Sequence, residues 1–233
     1  ENLKRFSLLI ISNPSEPFSE SEKYLLDQHL LNGGKQWWAI SAVSVNRDSL
    51  FNSSGSALAV GRSLNMENAF FKYGFRLRKN LIKDLYCAPI VLANGRQKQT
   101  QYLPYPWPYY PLAKPSDNHL FSSNAGNVLM PFSSTLDILK NRLEKTILIS
   151  SSEFSKTQET PLEIELKDAS VNLNPVEFNE EFQTTGVLIK GKFSSAFENR
   201  VKPFKLDKKK TSGESEIIVF SCGAIAENQV NRG

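Results

Sequence analysis

The N-terminal stretch from residue 6 to residue 40 constrains the fold most, because it carries local signals for a strand, a capped helix and a second strand. Phe6 to Ile11 is an almost continuous apolar run, typical of a strand covered on both faces. Ser19 and Glu22 have the spacing of a capping box at the start of a helix. Gly33-Gly34 supplies a left-handed stop at its end. These signals predict a strand followed by a capped helix, with Leu26 and Leu30 one turn apart.

A second apolar run over residues 36–40 follows the two glycines at once. Residues 1–42 are therefore predicted to form a βαβ unit with two parallel strands and a right-handed crossover. Further strand-like stretches lie at 146–150, 185–192 and 216–221. We therefore predict one α/β domain over residues 1–233, with three layers and a mostly parallel mixed sheet.

The most unusual stretch is Tyr102–Pro111, where prolines alternate with aromatic residues. Because alternate prolines remove hydrogen-bond donors, we predict that it runs extended, near polyproline II, and is not a central strand. Rings on a stiff backbone suit a sugar or an apolar ridge of a partner protein, but they suit burial against the sheet as well, and burial is their commoner use. The candidate binding residues are Tyr102, Tyr105, Trp107, Tyr109, Tyr110, Asn118 and His119.

Charge gives no indication of nucleic-acid binding. The chain has 28 Lys and Arg residues against 24 Asp and Glu, a net charge of +4, and the basic residues are spread along it. One local cluster places five lysines between residues 202 and 210. We predict a flexible, solvated basic loop over 202–215; a contact with an acidic partner or lipid headgroups is the alternative.

The residue types that carry catalysis are scarce. Cys87 and Cys222 are too few for a Cys-x-x-Cys metal cluster, and they can either form one disulfide or remain free thiols. Cys87 and His119 could make a thiolate nucleophile only if the fold brought them together. No phosphate loop, nucleophile elbow or dinucleotide motif is present, and no local pattern pairs two carboxylates. We predict no catalytic residues, no metal site and no cofactor.

The sequence contains no stretch approaching the roughly 20 apolar residues that cross a bilayer. The chain opens with Glu1 rather than an initiator methionine. We therefore expect either an excised fragment or a processed product of a longer protein, so that any targeting or anchoring segments would lie outside this chain.

Short segments in consistent order connect the chain to a known family. They are 17–28, 32–35, 64–66, 71–76, 80–85, 87–90, 118–119, 133–137, 191–197 and 199–200. With these segments the chain resembles the GldG family of gliding-motility-associated ABC transporter subunits of Bacteroidetes.

The resemblance implies an extracytoplasmic domain of the GIFT type. The sheet of such domains is class I glutamine-amidotransferase-like, or flavodoxin-like, but they are not known for the catalytic triad. It also implies a periplasmic location, anchored to the inner membrane through segments outside this chain. The implied partners are the membrane-embedded and ATP-binding subunits of an ABC transporter. Because relatives carry an earlier strand and helix, the sheet of this chain is expected to lack N-terminal strands, or to receive them from another chain.

The chain departs from the family at two predicted strand ends. Ser41-Ala42 stands where the family has Asp-Pro, and Cys222-Gly223-Ala224 stands where it has Asp-Gly-Asp. Ligands of open α/β sheets bind at such carboxyl ends, so the loss of both acids argues against a metal or polar-ligand role there. The leading hypothesis is a non-enzymatic transporter subunit that binds a protein or substrate. The alternatives are a carbohydrate-binding module using the Tyr/Trp/Pro stretch and an amidotransferase-like hydrolase.

Overall fold

The protein is built mainly from β-strands, with a few short helices. The computed structural model describes residues 2–94, 100–116, 126–206 and 209–227. The described α-helices are α1 (Glu20–Leu31), α2 (Arg47–Leu50) and α3 (Glu67–Tyr73). The described strands are β1 (Leu8–Ser12), β2 (Lys35–Ala39), β3 (Val43–Val45), β4 (Ser56–Gly61), β5 (Phe75–Leu77), β6 (Asn80–Asp84), β7 (Cys87–Asn94), β8 (Gln101–Pro115), β9 (Val128–Leu129), β10 (Leu136–Ile138), β11 (Glu144–Ser150), β12 (Ser155–Glu159), β13 (Leu162–Glu165), β14 (Thr184–Ser194) and β15 (Ser212–Phe220).

The strand–helix–strand arrangement predicted for the N-terminus is confirmed. β1 and β2 pair in parallel, from Leu8 opposite Lys35 to Ser12 opposite Ala39. The capping box forms as predicted: the backbone N–H of Glu22 donates to Ser19 Oγ at 3.3 Å, and the N–H of Ser19 donates back to the Glu22 carboxylate at 2.8 Å. Gly33 takes a φ of +94° after the helix, a conformation that glycine adopts without steric cost. Local signals therefore fix this unit.

The prediction of a mostly parallel sheet is wrong outside two strand pairs. The largest sheet among the described residues has the order β1-β2-β15-β14-β11-β8-β7, with β9 paired to β8. β2 pairs in parallel with β1 and with β15, and every other pair described in this sheet is antiparallel. Apolar patterning marks a strand but not its direction, because the partner is chosen by distant segments. The result is a mixed sheet with a short parallel part at one edge.

The aromatic stretch is a strand, contrary to the prediction. β8 pairs with β7 from Asn94 opposite Gln101 to Cys87 opposite Pro111. Successive residues of a strand direct their N–H groups to opposite sides, so prolines at every second position remove donors from one side only. Pro104, Pro106 and Pro108 have this spacing, and the intervening residues keep their donors. The proline pattern is therefore compatible with pairing to one neighbour.

The helices that pack on the large sheet lie against one of its faces. Leu30 of α1 and Phe70 of α3 share a core cluster with Trp38 and Val219 of the sheet. Leu8 and Ile10 of β1 point to the opposite face, where Ile10 is 66 % exposed. The apolar run at the N-terminus is thus not covered on both faces as predicted. In the described part of the chain no α-helix joins the core cluster on that face, so the predicted third layer is missing there.

The segment predicted as a flexible basic loop is partly ordered by pairing. Ser212 is already the first residue of β15 and lies opposite Ser194 of β14. Just before it, the backbone N–H of Lys210 donates to Gln28 Oε1 at 2.9 Å, and Gln28 Nε2 donates to the Lys210 carbonyl at 2.8 Å. Residues 207–208 lie outside the described residues. The loop prediction is therefore wrong from Ser212 onward.

A buried carboxylate ties the helices to the end of β14. Asp27 is 1 % exposed and accepts from Tyr73 Oη at 2.8 Å, from Ser195 Oγ at 2.7 Å and from the N–H of Ala196 at 2.8 Å. Burial, together with the charge of Asp27, raises the pKa of Tyr73 well above its ordinary value. Asp27, Tyr73, Ser195 and Ala196 all lie in segments that carry the family resemblance. The resemblance therefore includes a structural anchor of the fold.

The end of α1 lies so close to β15 that no side chain fits between them. A Cβ atom on Gly213 would overlap the carbonyl oxygen of Leu31 and come within 2.7 Å of its carbonyl carbon. These are backbone atoms, which cannot rotate away as a side chain can. The contact sets the distance between helix and sheet. Among the described helices, none is both long enough and apolar enough to span a membrane.

Candidate functional site

The rings predicted as binding residues do not share an accessible surface. Trp107 is 0 % exposed, and it packs with the buried Tyr109 in a second core cluster. Tyr109 Oη donates to Gln158 Oε1 at 2.8 Å. Tyr110 is half-buried and contacts Phe132 edge-on at 5.4 Å between ring centroids. The faces of Trp107 and Tyr109 are therefore not available to a sugar in this structure.

The other candidate positions fall at the rim of the stretch. Tyr102 is 72 % exposed, whereas Tyr105 is half-buried and accepts from Asn94 Nδ2 at 3.3 Å. Asn118 and His119 lie outside the described residues. A stacking surface formed by the described rings thus reduces to Tyr102, with partial access to Tyr105 and Tyr110.

The two cysteines are free thiols in environments that oppose ionisation. Cys222 is buried and its Sγ lies 3.2 Å from the Pro131 carbonyl oxygen, while Cys87 is half-buried. Burial raises the pKa of each thiol to about 11. His29 is buried in α1, with Nε2 2.9 Å from the carbonyl oxygen of Phe6. No group of three His, Cys, Asp or Glu side chains in the described ranges is arranged to hold a metal ion.

We expect both cysteines to react slowly with a thiol reagent at pH 7.5 while the protein is folded. With a pKa of about 11, well under 1 % of each thiol is ionised at that pH, and the thiolate is the reactive species. The rate should rise as the pH approaches 11. Absorbance-monitored labelling in buffer and in 6 M urea provides the check, with denaturant accelerating the reaction strongly. Rapid labelling of folded Cys87 at neutral pH would show an activated thiol instead.

The positions predicted at the carboxyl ends of strands do meet in space. The N–H of Gly223 donates to Ser41 Oγ at 3.0 Å, so the ends of β2 and β15 are joined. Asn13, just after β1, donates from Nδ2 to Glu227 at 2.8 Å. A small cavity of about 330 Å³ lies here and includes Asn13, Ser41 and Arg62 in its wall. The wall is held by hydrogen bonds from Asn13 to Glu227 and from Arg62 to Asn13, and by an ion pair between Arg47 and Glu227 at 3.9 Å.

A larger cavity of about 720 Å³ opens on the other side of Arg62. It is formed by the loop before α3, one side of α3 and the segment from β5 to β6. We call it the basic pocket and define it by its described lining residues: Ala42, Arg62, Leu64, Met66, Glu67, Asn68, Phe70, Phe71, Arg76, Leu77, Arg78 and Lys79.

The basic pocket combines an apolar floor with a cationic rim. Leu64, Met66 and Phe70 are buried and form the floor. At the rim, two arginines face acidic partners. The Arg76 guanidinium lies 2.9 Å from Asp137, and that of Arg78 lies 2.7 Å from Glu159.

Two further cations of the pocket lack a carboxylate partner. Arg62 donates from Nη1 to the neutral acceptors Asn13 Oδ1, at 3.3 Å, and the Pro14 carbonyl, at 3.1 Å. Neither Arg62 nor Lys79 forms an ion pair with any residue in the described part of the chain. Such cations above an apolar floor attract an anion but supply no nucleophile.

Sequence reasoning missed this pocket, although one signal was present. Residues 76–79 carry three basic side chains among four and follow closely on Phe70-Phe71. Arg62 and Ala42 join them only because the chain folds back, so spacing alone gives no indication of the complete cavity.

Comparison with known proteins connects the chain to transport. A family model described as an ABC-type uncharacterized transport system matches residues 1–233. No curated protein matches the sequence. A solved structure described as the mmIFT52 N-terminal domain is similar over 96 % of this chain and 69 % of that chain, with 14 % sequence identity and a TM-score of 0.47.

Proposed function

Because the chain belongs to the ABC-type uncharacterized transport system family, we propose that it is a non-catalytic auxiliary subunit of an ABC transporter that works by binding. The basic pocket is the observation that carries the binding role. Its described lining offers cations and apolar side chains, but no thiol and no imidazole. The two thiols of the chain lie elsewhere and have raised pKa values, which is a poor basis for nucleophilic catalysis.

The place of action we propose is the periplasm, with an inner-membrane anchor outside this chain. The support is the resemblance to the gliding-motility-associated GldG subunits. The segments of this chain that carry the resemblance include Asp27 and its hydrogen-bond partners Tyr73 and Ser195. Its partners would be the membrane-embedded and ATP-binding subunits, and its process gliding motility. The amidotransferase-like relation of the sheet is likewise a proposal, supported by the parallel β1-β2-β15 part and helix α1.

The carbohydrate-binding alternative has weaker support. It depends on aromatic faces, and of the described rings only Tyr102 is well exposed. Substitution of Trp107 would not test it, because loss of a fully buried indole damages the core whatever the ring binds. Tyr102 is the position at which a sugar-binding role would have to appear.

Cross-linking of the tagged full-length protein in its native membrane tests the proposed function. We expect mass spectrometry of the cross-linked neighbours to recover a membrane-embedded transporter subunit and an ATP-binding subunit. An unrelated tagged protein of the same compartment is the control. Recovery of neither subunit above that control, from membranes in which both are present, would contradict the transporter role.

A further inference from the structure

We propose that the basic pocket binds an amphipathic anion, meaning a phosphate, carboxylate or sulfonate group carried on an acyl or aromatic body. This inference rests on the proposed function, since the ligand would be what the subunit presents to the transporter. It follows from three properties of the pocket: its size and apolar floor, the hydrogen-bond donors of Arg62 and Lys79 that no described carboxylate occupies, and the excess of basic residues in its described lining.

The size and floor of the pocket suit a ligand with an apolar body. A volume of about 720 Å³ lies in the usual range of small-molecule sites, which is roughly 300–1,000 Å³. Leu64, Met66 and Phe70 are buried beneath the opening, and Phe71 stands beside it with 64 % of its surface exposed. Transfer of an acyl or aromatic group from water to this floor is favourable. A bare inorganic anion would leave the floor unused.

The rim supplies donors for a negatively charged head group. Both described hydrogen bonds of the Arg62 side chain come from Nη1, so no described acceptor occupies its Nε and Nη2 donors. A guanidinium fork matches the oxygens of phosphate and carboxylate groups. The ammonium of Lys79 also has no ion-pair partner in the described ranges and lies on an exposed residue. A bound anion could therefore form ion pairs with Arg62 and Lys79 without displacing a protein carboxylate.

The excess of basic over acidic residues in the described lining sets the sign of the pocket's charge preference. Glu67 is the single carboxylate in the described lining and accepts from Ser63 Oγ at 2.7 Å. Four basic residues line the same cavity, and the acids that pair with Arg76 and Arg78 are not lining residues. A cationic amphiphile would meet net repulsion at this rim, whereas an anionic one would meet net attraction despite the charge of Glu67.

Isothermal titration of the 233-residue chain with decyl phosphate, below its micelle concentration, is the direct test. We expect saturable binding at one site. Inorganic phosphate lacks the apolar body, and decyltrimethylammonium has the opposite charge, so each should bind at least tenfold more weakly. Equal binding of the cationic amphiphile would overturn the proposal, because it would show apolar binding without charge recognition.

Three variants of the pocket locate the site. Lys79→Gln and Arg62→Gln should each weaken decyl phosphate binding by about tenfold, the effect of one charge-assisted contact. Glu67→Gln should tighten binding a few-fold by removing a repulsive charge. Lys192→Gln is the matched control, an exposed lysine without an ion pair in the described ranges that does not line the pocket, and it should bind as the wild type does.

Circular dichroism melting separates loss of binding from loss of fold. If Arg62→Gln proves unstable, Glu67→Gln still tests the site, because tighter binding cannot result from unfolding. Unchanged affinity in all three pocket variants would overturn the assignment of the site. Failure of the titration with retained transporter cross-links would refute the ligand class alone. Retained titration with no cross-links would refute the transporter role alone.

Discussion

Replacing Asp27 by alanine is expected to lower the free energy of unfolding by about 3–5 kcal/mol. The substitution leaves three donors without their acceptor: the buried hydroxyls of Tyr73 and Ser195 and the half-buried N–H of Ala196. Each unsatisfied buried donor costs about 1–3 kcal/mol, and part of the loss is offset because a buried charge is removed as well. Urea denaturation followed by tryptophan fluorescence measures the change.

Two further variants make the Asp27 result interpretable. Asp48→Ala removes an exposed carboxylate without an ion pair among the described residues, and it should change stability by less than about 0.5 kcal/mol. Tyr73→Phe removes one of the three donors and should cost about 1–2 kcal/mol, so it remains measurable if the Asp27 variant fails to fold. An Asp27→Ala protein as stable as Asp48→Ala would show that the carboxylate does not anchor the fold.

Substituting Gly213 by alanine should destabilise the protein by about 3 kcal/mol or more, at the upper end of the cost of overpacking. The added methyl group would overlap the backbone carbonyl of Leu31, so the end of α1 must move away from β15. That movement would open the packing of Leu30 and Leu31, both buried in the first core cluster. For a chain of this length we expect the melting temperature to fall by roughly 6–12 °C.

Gly126→Ala provides a matched glycine substitution. Apart from its chain neighbours, no described residue would come within 4 Å of a Cβ at Gly126, so the melting temperature should stay within about 2 °C of the wild type. A Gly213 variant that melts together with the Gly126 variant would mean that helix and sheet are not in contact at this point.

The sequence predicted those parts of the fold that short-range chemistry determines. The capping box of Ser19 and Glu22 and the left-handed Gly33 act within a few residues, so they specify α1 and the strands on either side of it. The direction of β14 and β11 depends on partners far along the chain, and no local pattern encodes that choice. The antiparallel majority of the sheet was for this reason not predictable from periodicity.

The candidate site was less predictable than the fold. The composition of the aromatic stretch indicated a binding surface, yet Trp107 and Tyr109 are buried in the second core cluster. The basic pocket draws on Ala42, Arg62 and residues 76–79, which are unremarkable one by one and meet only in three dimensions. In a sequence, an aromatic residue of a binding surface looks the same as one of the core, and a basic residue of a pocket looks the same as one of the open surface. Only the folded chain distinguishes them.

The outward edge of β1 has a practical consequence for handling the protein in isolation. β1 is an edge strand of the described sheet. Its first four residues, Leu8 to Ile11, include neither a lysine nor a proline. Natural sheets commonly use such residues as gatekeepers against intermolecular strand pairing. Preparations of the purified chain should therefore be kept dilute and monitored for oligomers by light scattering, so that self-association is not mistaken for a biological assembly.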